Sequence, residues 1–221
     1  MRRAAAAAAL TLSFACGAQP PVRATVVTTA PEHPDPKAIY VFYLHGRIVQ
    51  EEGRHAVSPR YGPYAYDAIV DALAARGIVV IADARKKGTD PDAYARDVAA
   101  QVRGLLAAGV APAHVTVIGA SMGGYIALRV SSTVEDPRVG YVVLGICDEQ
   151  TVPLFTGRIH GEILSIYEAS DTEGSCGALF SGSPAVTRHA EIRLETGLAH
   201  GFLFRPLPGW VDPALRWARE R

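Results

Sequence analysis

A serine on a tight corner is the residue of this chain best suited to chemistry. Ser121 lies in the stretch VTVIGASMGGYIALR, where a β-branched run ends at Gly119 and a helical pattern begins at Tyr125. Gly123 and Gly124 follow it, so no large side chain crowds the hydroxyl. A G-x-S-x-G pattern between a strand and a helix exposes a nucleophile that can attack an acyl carbon. The alternative is a tight turn without a catalytic role.

The segments around this corner alternate between strand and helix patterns. Apolar runs typical of strands occupy residues 38–46, 78–83, 114–120, 139–147, 162–168 and 190–196. Helical patterns occupy residues 62–77, 89–109, 122–132 and 212–221, and residues 25–37 can add an edge strand. The first strands are apolar on both faces, which predicts an α/β fold with a mostly parallel sheet of six to seven strands, covered by helices on both sides.

The corner and its surroundings resemble the α/β-hydrolase family over residues 38–221. The family places its catalytic residues in the chain order serine, acid, histidine, at the carboxyl ends of the strands. ETGLAHGFLFRP supplies His200 in the loop after the last predicted strand, and ILSIYEASD supplies Asp171 after the fifth. By resemblance Ser121 is the nucleophile, Asp171 the acid and His200 the base.

Other acids stay open for the third catalytic position. Asp148 and Glu149 follow the fourth predicted strand, where some members of the family keep their acid. Glu168 lies close to Asp171 in the sequence. We favour Asp171 and keep Asp148 as the main alternative.

The resemblance also implies an oxyanion hole made of two backbone N–H groups. One belongs to Met122, the residue after the serine. The other is assigned to Arg47, in the segment His45-Gly46-Arg47 after the first long strand, although the fuller HGGG form is absent. We expect His45 to brace this loop rather than to take part in catalysis.

The activity implied by the resemblance is hydrolysis of a carboxylic ester or thioester through an acyl-enzyme, without a cofactor. An acyltransferase with the same residues, and a non-catalytic binding protein on this scaffold, are the alternatives. The seven histidines are scattered, and the sequence has neither H-E-x-x-H nor C-x-x-C, which argues against a metal site. It also lacks a P-loop and G-x-G-x-x-G, which argues against nucleotide binding.

The charge pattern bears on the substrate. The formal net charge of the 221 residues is zero, so no long-range attraction to nucleic acid or to an anionic membrane is expected. Arg47 follows one predicted strand, and Arg85, Lys86 and Lys87 follow the next. Either these cations form a solvated surface, or Arg47 and Arg85 bind a carboxylate or phosphate of a small-molecule substrate.

The N-terminal segment resembles a bacterial secretory signal peptide. Residues 1–24 combine two arginines, a short apolar run and small residues, and we expect a single hydrolase domain over residues 25–221. Two outcomes stay open, which are ordinary cleavage after Ala15 and lipidation of Cys16. The protein is therefore expected to be exported and either periplasmic or secreted, with a lipid on Cys16 as its one route to a membrane.

Export changes how the other two cysteines are interpreted. Cys147 ends the fourth predicted strand and Cys176 follows the fifth, so both are expected at the same edge of the sheet. An oxidising compartment favours pairing them in a disulfide. Two free buried thiols are the alternative.

Overall fold

A parallel sheet forms the centre of the chain. In a computed structural model, residues 25–74 and 77–220 are described, and their strands are β1 (Thr25–Val27), β2 (Tyr40–Leu44), β3 (Val57–Ser58), β4 (Gly62–Pro63), β5 (Val79–Ile81), β6 (Val115–Ala120), β7 (Gly140–Leu144), β8 (Gly161–Glu168) and β9 (Val186–Leu194). Seven of them pair in the order β1-β5-β2-β6-β7-β8-β9, with every pairing parallel. Strands β3 and β4 form a separate antiparallel hairpin.

Helices cover both faces of the sheet. They are α1 (Arg47–Glu52), α2 (Tyr66–Ala74), α3 (Pro91–Ala107), α4 (Met122–Val134), α5 (Thr151–Phe155), α6 (Gly177–Ser181) and α7 (Pro208–Arg219). Alternate residues of β2 supply the two cores, since Val41 and Tyr43 belong to the core under α2 and α7. Tyr40, Phe42 and Leu44 belong to the core under α3 and α4. A strand with both faces buried is therefore apolar throughout, as its sequence indicated.

The predicted α/β architecture is confirmed, including the edge strand β1, and β2 and β5 lie side by side in the sheet. Asp90 caps α3 by accepting a 2.7 Å hydrogen bond from the backbone N–H of Ala93. Helix α7 begins at Pro208 rather than at residue 212, which places Trp210 inside the helix. The β3–β4 hairpin and the short helices α1, α5 and α6 were not predicted, because two to six residues do not establish a period.

The prediction for the N-terminal segment concerns residues without a structural description. The predicted signal peptide, residues 1–24 with Cys16, lies outside the described residues. Within the described part of the chain, no helix has both the length and the apolar composition needed to cross a membrane.

Candidate active site

Ser121 occupies a strained corner between β6 and α4. Its φ is +52° and its ψ is −119°, a region that residues with a Cβ rarely adopt. The corner is held on both sides, since the Ser121 N–H donates to the Leu144 carbonyl at 2.9 Å and the Ser121 carbonyl accepts from Gly124 at 2.7 Å. Such strain is expected where a fold must present a side chain at the end of a strand.

The glycines beside Ser121 are required by close packing of the backbone. A Cβ on Gly119 would clash with the carbonyl of Gly123, and a Cβ on Gly123 would clash with the carbonyl of Leu44. Both clashes involve main-chain atoms, which cannot turn away as a side chain could. The small residues therefore let α4 approach β2 and β6 closely enough to leave Ser121 at the corner.

His200 and Asp171 are brought together from the loops after β9 and β8. The Nδ1 of His200 lies 2.7 Å from Oδ2 of Asp171, and the Asp171 side chain is only 3% exposed. A carboxylate can only accept here, so Nδ1 carries the proton and Nε2 is left to accept one. His200 and Ser121 line the same cavity, but no hydrogen bond joins Ser121 Oγ to the imidazole among the described residues.

The alternative acids have other partners. Oδ1 of Asp148 accepts from the N–H groups of Gln150 and Thr151 at 3.0 and 2.5 Å, at the start of α5. Glu149 is exposed. The structure therefore places Asp171, and not Asp148, on the imidazole.

Glu168 joins the two loops that carry Asp171 and His200. This carboxylate is 1% exposed and accepts from the N–H and Oγ1 of Thr196 at 2.9 and 2.7 Å. It also accepts from the hydroxyl of Ser170 at 3.2 Å. Burial raises the pKa of Glu168, but the hydrogen bonds from Thr196 and its neighbours outweigh burial and leave the pKa below its ordinary value. Glu168 therefore stays ionised and braces the site.

Two cavities meet at Ser121. The His200 cavity, about 140 Å³, is lined by Ser121, His200 and mostly apolar side chains, among them Ile48, Tyr64, Leu203 and Phe204. The Glu173 cavity, about 290 Å³, is lined by Ser121 and mainly polar residues, among them Arg47, Tyr125, Asp148 and Glu173. An ester bound across the serine would thus have one small apolar compartment and one larger polar compartment.

Glu173 gives the larger cavity an unusual carboxyl group. Its Oε2 is buried and has no hydrogen-bond partner within the described residues. Burial, and then the nearby charge of Asp148, raise the pKa of Glu173 above its ordinary value. Sequence reasoning did not select Glu173, because nothing near it in the chain marks it as part of a site.

Two helix N-termini flank Ser121. Met122 is the first residue of α4 and Arg47 the first residue of α1, and Met122 lines the Glu173 cavity while Arg47 lines both cavities. The first N–H groups of a helix have no acceptor within it. Neither N–H group has an acceptor within its own helix, so both are candidates for the oxyanion hole that the sequence predicted.

His45 braces the Arg47 loop, as predicted. It is fully buried, and its Nε2 accepts from the backbone N–H of Arg85 at 2.8 Å. Its Nδ1 therefore carries the proton and donates to the Gly46 carbonyl at 2.8 Å. Burial, and then the charge of Arg85, lower the pKa of His45 to about 3.

The structure contradicts the predicted substrate-binding role of Arg85. Its side chain is buried, with the residue 2% exposed, and it lines neither cavity beside Ser121. Its guanidinium donates to Gln50 at 3.1 Å and to the carbonyl of His45. The side chain turns inward because Gln50 and the main-chain carbonyl of His45 accept from two of its nitrogens there, while Nη1 is buried with no hydrogen-bond partner among the described residues. Arg85 therefore stabilises the Arg47 loop from the buried side of that loop, through its contacts with His45.

Arg47 remains at the site. It is exposed, and its guanidinium forms no hydrogen bond or ion pair with the described residues. Its side chain is thus available to a ligand in either cavity.

A disulfide joins Cys147 to Cys176. The bridge connects the end of β7 to the start of α6, next to the segment that carries Asp171 and Glu173. Strands β7 and β8 are neighbours in the sheet, as the disulfide prediction required. The bridge therefore anchors the acid loop to the sheet.

No metal site is evident in the part of the chain that the structure describes, where no group of three or more His, Cys, Asp or Glu is arranged to hold an ion.

Comparison with known proteins identifies the fold. No protein-family model matches the chain, and no curated protein matches it. Solved structures do match. SOBER1 of Arabidopsis thaliana superposes with a TM-score of 0.52 at 14% identity, over 83% of this chain and 99% of that one.

Two lipolytic enzymes are similar to the same extent. A structure from a study of LipS and LipT, two metagenome-derived lipolytic enzymes, has a TM-score of 0.58 at 13% identity, over 88% of this chain and 96% of that one. The monoacylglycerol lipase of Paleococcus ferrophilus has a TM-score of 0.56 at 13% identity, over 81% and 93%. The parallel sheet, the strained serine corner and these superpositions agree, and the chain has the α/β-hydrolase fold.

Proposed function

We propose that this protein is a serine hydrolase that cleaves a carboxylic ester or thioester through an acyl-enzyme on Ser121. The observation that carries the proposal is the shared cavity of Ser121 and His200, with Nδ1 of His200 on the buried carboxylate of Asp171. The lipases and esterases with this fold favour the same reaction class, although a fold alone does not fix a substrate.

The proposed mechanism has two steps. In the first, Ser121 Oγ attacks the acyl carbon, and its proton passes to Nε2 of His200 and then to the leaving alcohol or thiol. Asp171 holds the imidazole and stabilises its protonated form. In the second, His200 takes a proton from water, the hydroxide attacks the acyl carbon, and the acid leaves as Ser121 regains its proton.

The backbone N–H groups of Met122 and Arg47 stabilise the negative oxygen of both tetrahedral intermediates in this proposal. Removing one such donor from a well-formed oxyanion hole raises the activation barrier by about 2.7–4 kcal/mol. The cavity lining supports this assignment, because Ser121 and Arg47 line both cavities and Met122 lines the Glu173 cavity.

Cavity size suggests a substrate with one short group. The His200 cavity is the smaller of the two, at about 140 Å³ against about 290 Å³ for the Glu173 cavity. One side of the scissile bond is therefore proposed to carry only a few carbon atoms. The other side lies in the larger, polar Glu173 cavity.

Labelling with a fluorophosphonate probe tests the proposal directly. The wild-type protein should be labelled on Ser121 and should hydrolyse short p-nitrophenyl esters. Ser121→Ala should lose both properties, and an equally labelled Ser121→Ala protein would contradict the proposal. Adding alcohol acceptors and analysing the products separates hydrolysis from acyl transfer. A protein that folds but neither labels nor turns over ester would favour the binding-protein alternative.

Export is proposed separately, on the sequence of residues 1–24 alone. Expression of the full chain in a Gram-negative host, followed by fractionation and mass spectrometry of the N-terminus, tests it. Cleavage after Ala15 or a lipid on Cys16 would support export, and an intact Met1 in the cytoplasm would contradict it.

A further inference from the structure

Two buried tyrosine hydroxyls meet behind the His200 cavity. Tyr43 lies on β2 and is 1% exposed, and Tyr64 follows β4 and is 4% exposed. Their hydroxyl oxygens are 2.7 Å apart, which is a hydrogen bond that either oxygen could donate. Tyr64 also lines the His200 cavity with Ser121, whereas Tyr43 lines neither cavity beside the serine.

The number of acceptors decides which tyrosine donates. If Tyr64 donated to Tyr43, the Tyr43 proton would need another acceptor, and none is present among the described residues. A buried hydroxyl proton without a partner costs about 1–3 kcal/mol. If Tyr43 donates to Tyr64, the Tyr64 proton has the cavity to point into, where water or substrate can accept it. The second arrangement leaves neither proton of this tyrosine pair without an acceptor.

The Arg47 loop supports the same orientation. Burial raises the pKa of Tyr64, while the hydroxyl of Tyr43 and the backbone N–H of Gly46 both act on its oxygen and offset part of the rise. The carbonyl of this same peptide, that of His45, accepts from the guanidinium of Arg85. Arg85 therefore polarises the His45–Gly46 peptide, whose backbone N–H lowers the pKa of Tyr64.

We propose that Tyr64 is a catalytic residue whose phenol donates a hydrogen bond to the oxyanion formed on Ser121, as a third donor beside the N–H groups of Met122 and Arg47. The inference rests on the proposed serine-hydrolase function. It depends on the position of Tyr64, which shares the His200 cavity with the nucleophile and with Gly46 and Arg47 of the oxyanion loop.

Three phenylalanine variants test the inference on p-nitrophenyl acetate. Tyr64→Phe should lower kcat by about 10²-fold or more and change KM by less than about threefold, because the donor acts on the transition state. Tyr43→Phe should lower kcat by less than about tenfold, since Tyr64 keeps its proton. The double variant should match the kcat of Tyr64→Phe, yet should be more stable to urea, because no Tyr43 hydroxyl is left without an acceptor.

The controls separate this inference from the proposed function. If Ser121→Ala keeps the wild-type rate, the serine-hydrolase proposal fails. If Ser121→Ala is inactive while Tyr64→Phe keeps kcat within about threefold of wild type, only the Tyr64 inference is overturned. Recovery of kcat in the double variant would also overturn the Tyr64 inference. The low kcat of Tyr64→Phe would then result from the buried Tyr43 hydroxyl, which has no acceptor in that variant.

If the Tyr64→Phe protein does not fold, a second measurement tests the inference. The double variant is then compared with Tyr43→Phe, which differs from it only at Tyr64. Inhibition by a short alkyl boronic acid, which forms a tetrahedral anion on the serine, should weaken by about the same factor as kcat. Equal inhibition of the double variant and Tyr43→Phe would overturn the inference.

Discussion

The carboxylate of Asp171 accepts a 2.7 Å hydrogen bond from Nδ1 of His200, although the two residues are 29 positions apart. They follow β8 and β9, which are adjacent parallel strands. Parallel strands end at the same edge of a sheet, so the pair is created by the order of the strands. Ser121 follows β6 at that edge, two strands from β8.

Removing the nucleophile or the base should abolish turnover. Ser121→Ala and His200→Ala should each lower kcat on a short ester by about 10⁴-fold or more, and the double variant should lose little beyond either alone, since the residues act as a unit. Steady-state kinetics with the purified wild-type and variant proteins measures these losses in kcat. Losses that multiply in the double variant would show that the two side chains work independently.

The acid is tested by a matched pair of carboxylates. Asp171→Asn should lower kcat severely, by about 10³–10⁴-fold, because the amide no longer holds the reactive tautomer of His200. Asp148→Asn is the comparison, since its carboxylate accepts from the N–H groups of Gln150 and Thr151 at the start of α5 and no hydrogen bond joins it to the imidazole within the described residues. It should affect stability more than kcat. If Asp148→Asn were the inactive variant, the acid assignment would be wrong.

Much of the site followed from the sequence because strand ends are visible in it. Ser121 lies between an apolar run and a helical stripe, and Asp171 and His200 follow apolar or alternating segments. In a parallel sheet these positions must share one edge, so topology alone brings them together. The resemblance to α/β-hydrolases supplied the order of their roles.

The orientation of side chains did not follow from the sequence. Arg85 follows a strand as Arg47 does, yet one guanidinium is buried under a loop and the other faces two cavities. The difference depends on Gln50 and on the carbonyl of His45, which reach Arg85 from elements about 35 to 40 positions away. Tyr64 was missed for a similar reason, since its contacts come from β2 and the Arg47 loop.

Reduction of the Cys147–Cys176 bridge should weaken the fold. The bridge spans 29 residues, and the chain-entropy model assigns such a loop about 3.5 kcal/mol of unfolding free energy. Urea unfolding with and without dithiothreitol measures the loss. A Cys147→Ala, Cys176→Ala protein should start at the reduced stability and show no further effect of the reductant. An unchanged midpoint for the wild type in reductant would contradict the prediction, as would two free thiols in mass spectra of periplasmic protein.

His45 should make the fold sensitive to acid. Its folded pKa of about 3 lies below its ordinary value of 6.5, so the folded state favours neutral imidazole. The stability from this preference is complete above about pH 6.5 and is lost as the pH falls toward 3, by about 5 kcal/mol in total. His45→Gln keeps an acceptor for the Arg85 N–H and does not titrate. The free energy of unfolding, measured with urea at pH 7, 5 and 4, should therefore fall more steeply with decreasing pH in the wild type than in His45→Gln. An equal pH dependence in the two proteins would contradict the prediction.

Arg47 is the remaining candidate for recognition of an anionic substrate. Its guanidinium is exposed beside both cavities, and the described residues offer it no ion pair. Arg47→Gln keeps the backbone N–H assigned to the oxyanion hole and removes only the charge. It should raise KM for p-nitrophenyl hemisuccinate by about three- to tenfold and leave KM for neutral p-nitrophenyl butyrate nearly unchanged.

The control for Arg47 is an arginine at the opposite edge of the sheet. Arg138 precedes β7 and is exposed there, so Arg138→Gln removes the same charge far from Ser121 and should change neither KM. Added salt should reduce the preference of the wild type for the anionic ester, because the attraction between exposed charges extends only about 10 Å at 0.1 M salt and over a shorter distance at higher salt. Asp148 and Glu173 oppose an anion in the larger cavity. If Arg47→Gln changes KM equally for both esters, those carboxylates dominate and recognition of an anion is rejected.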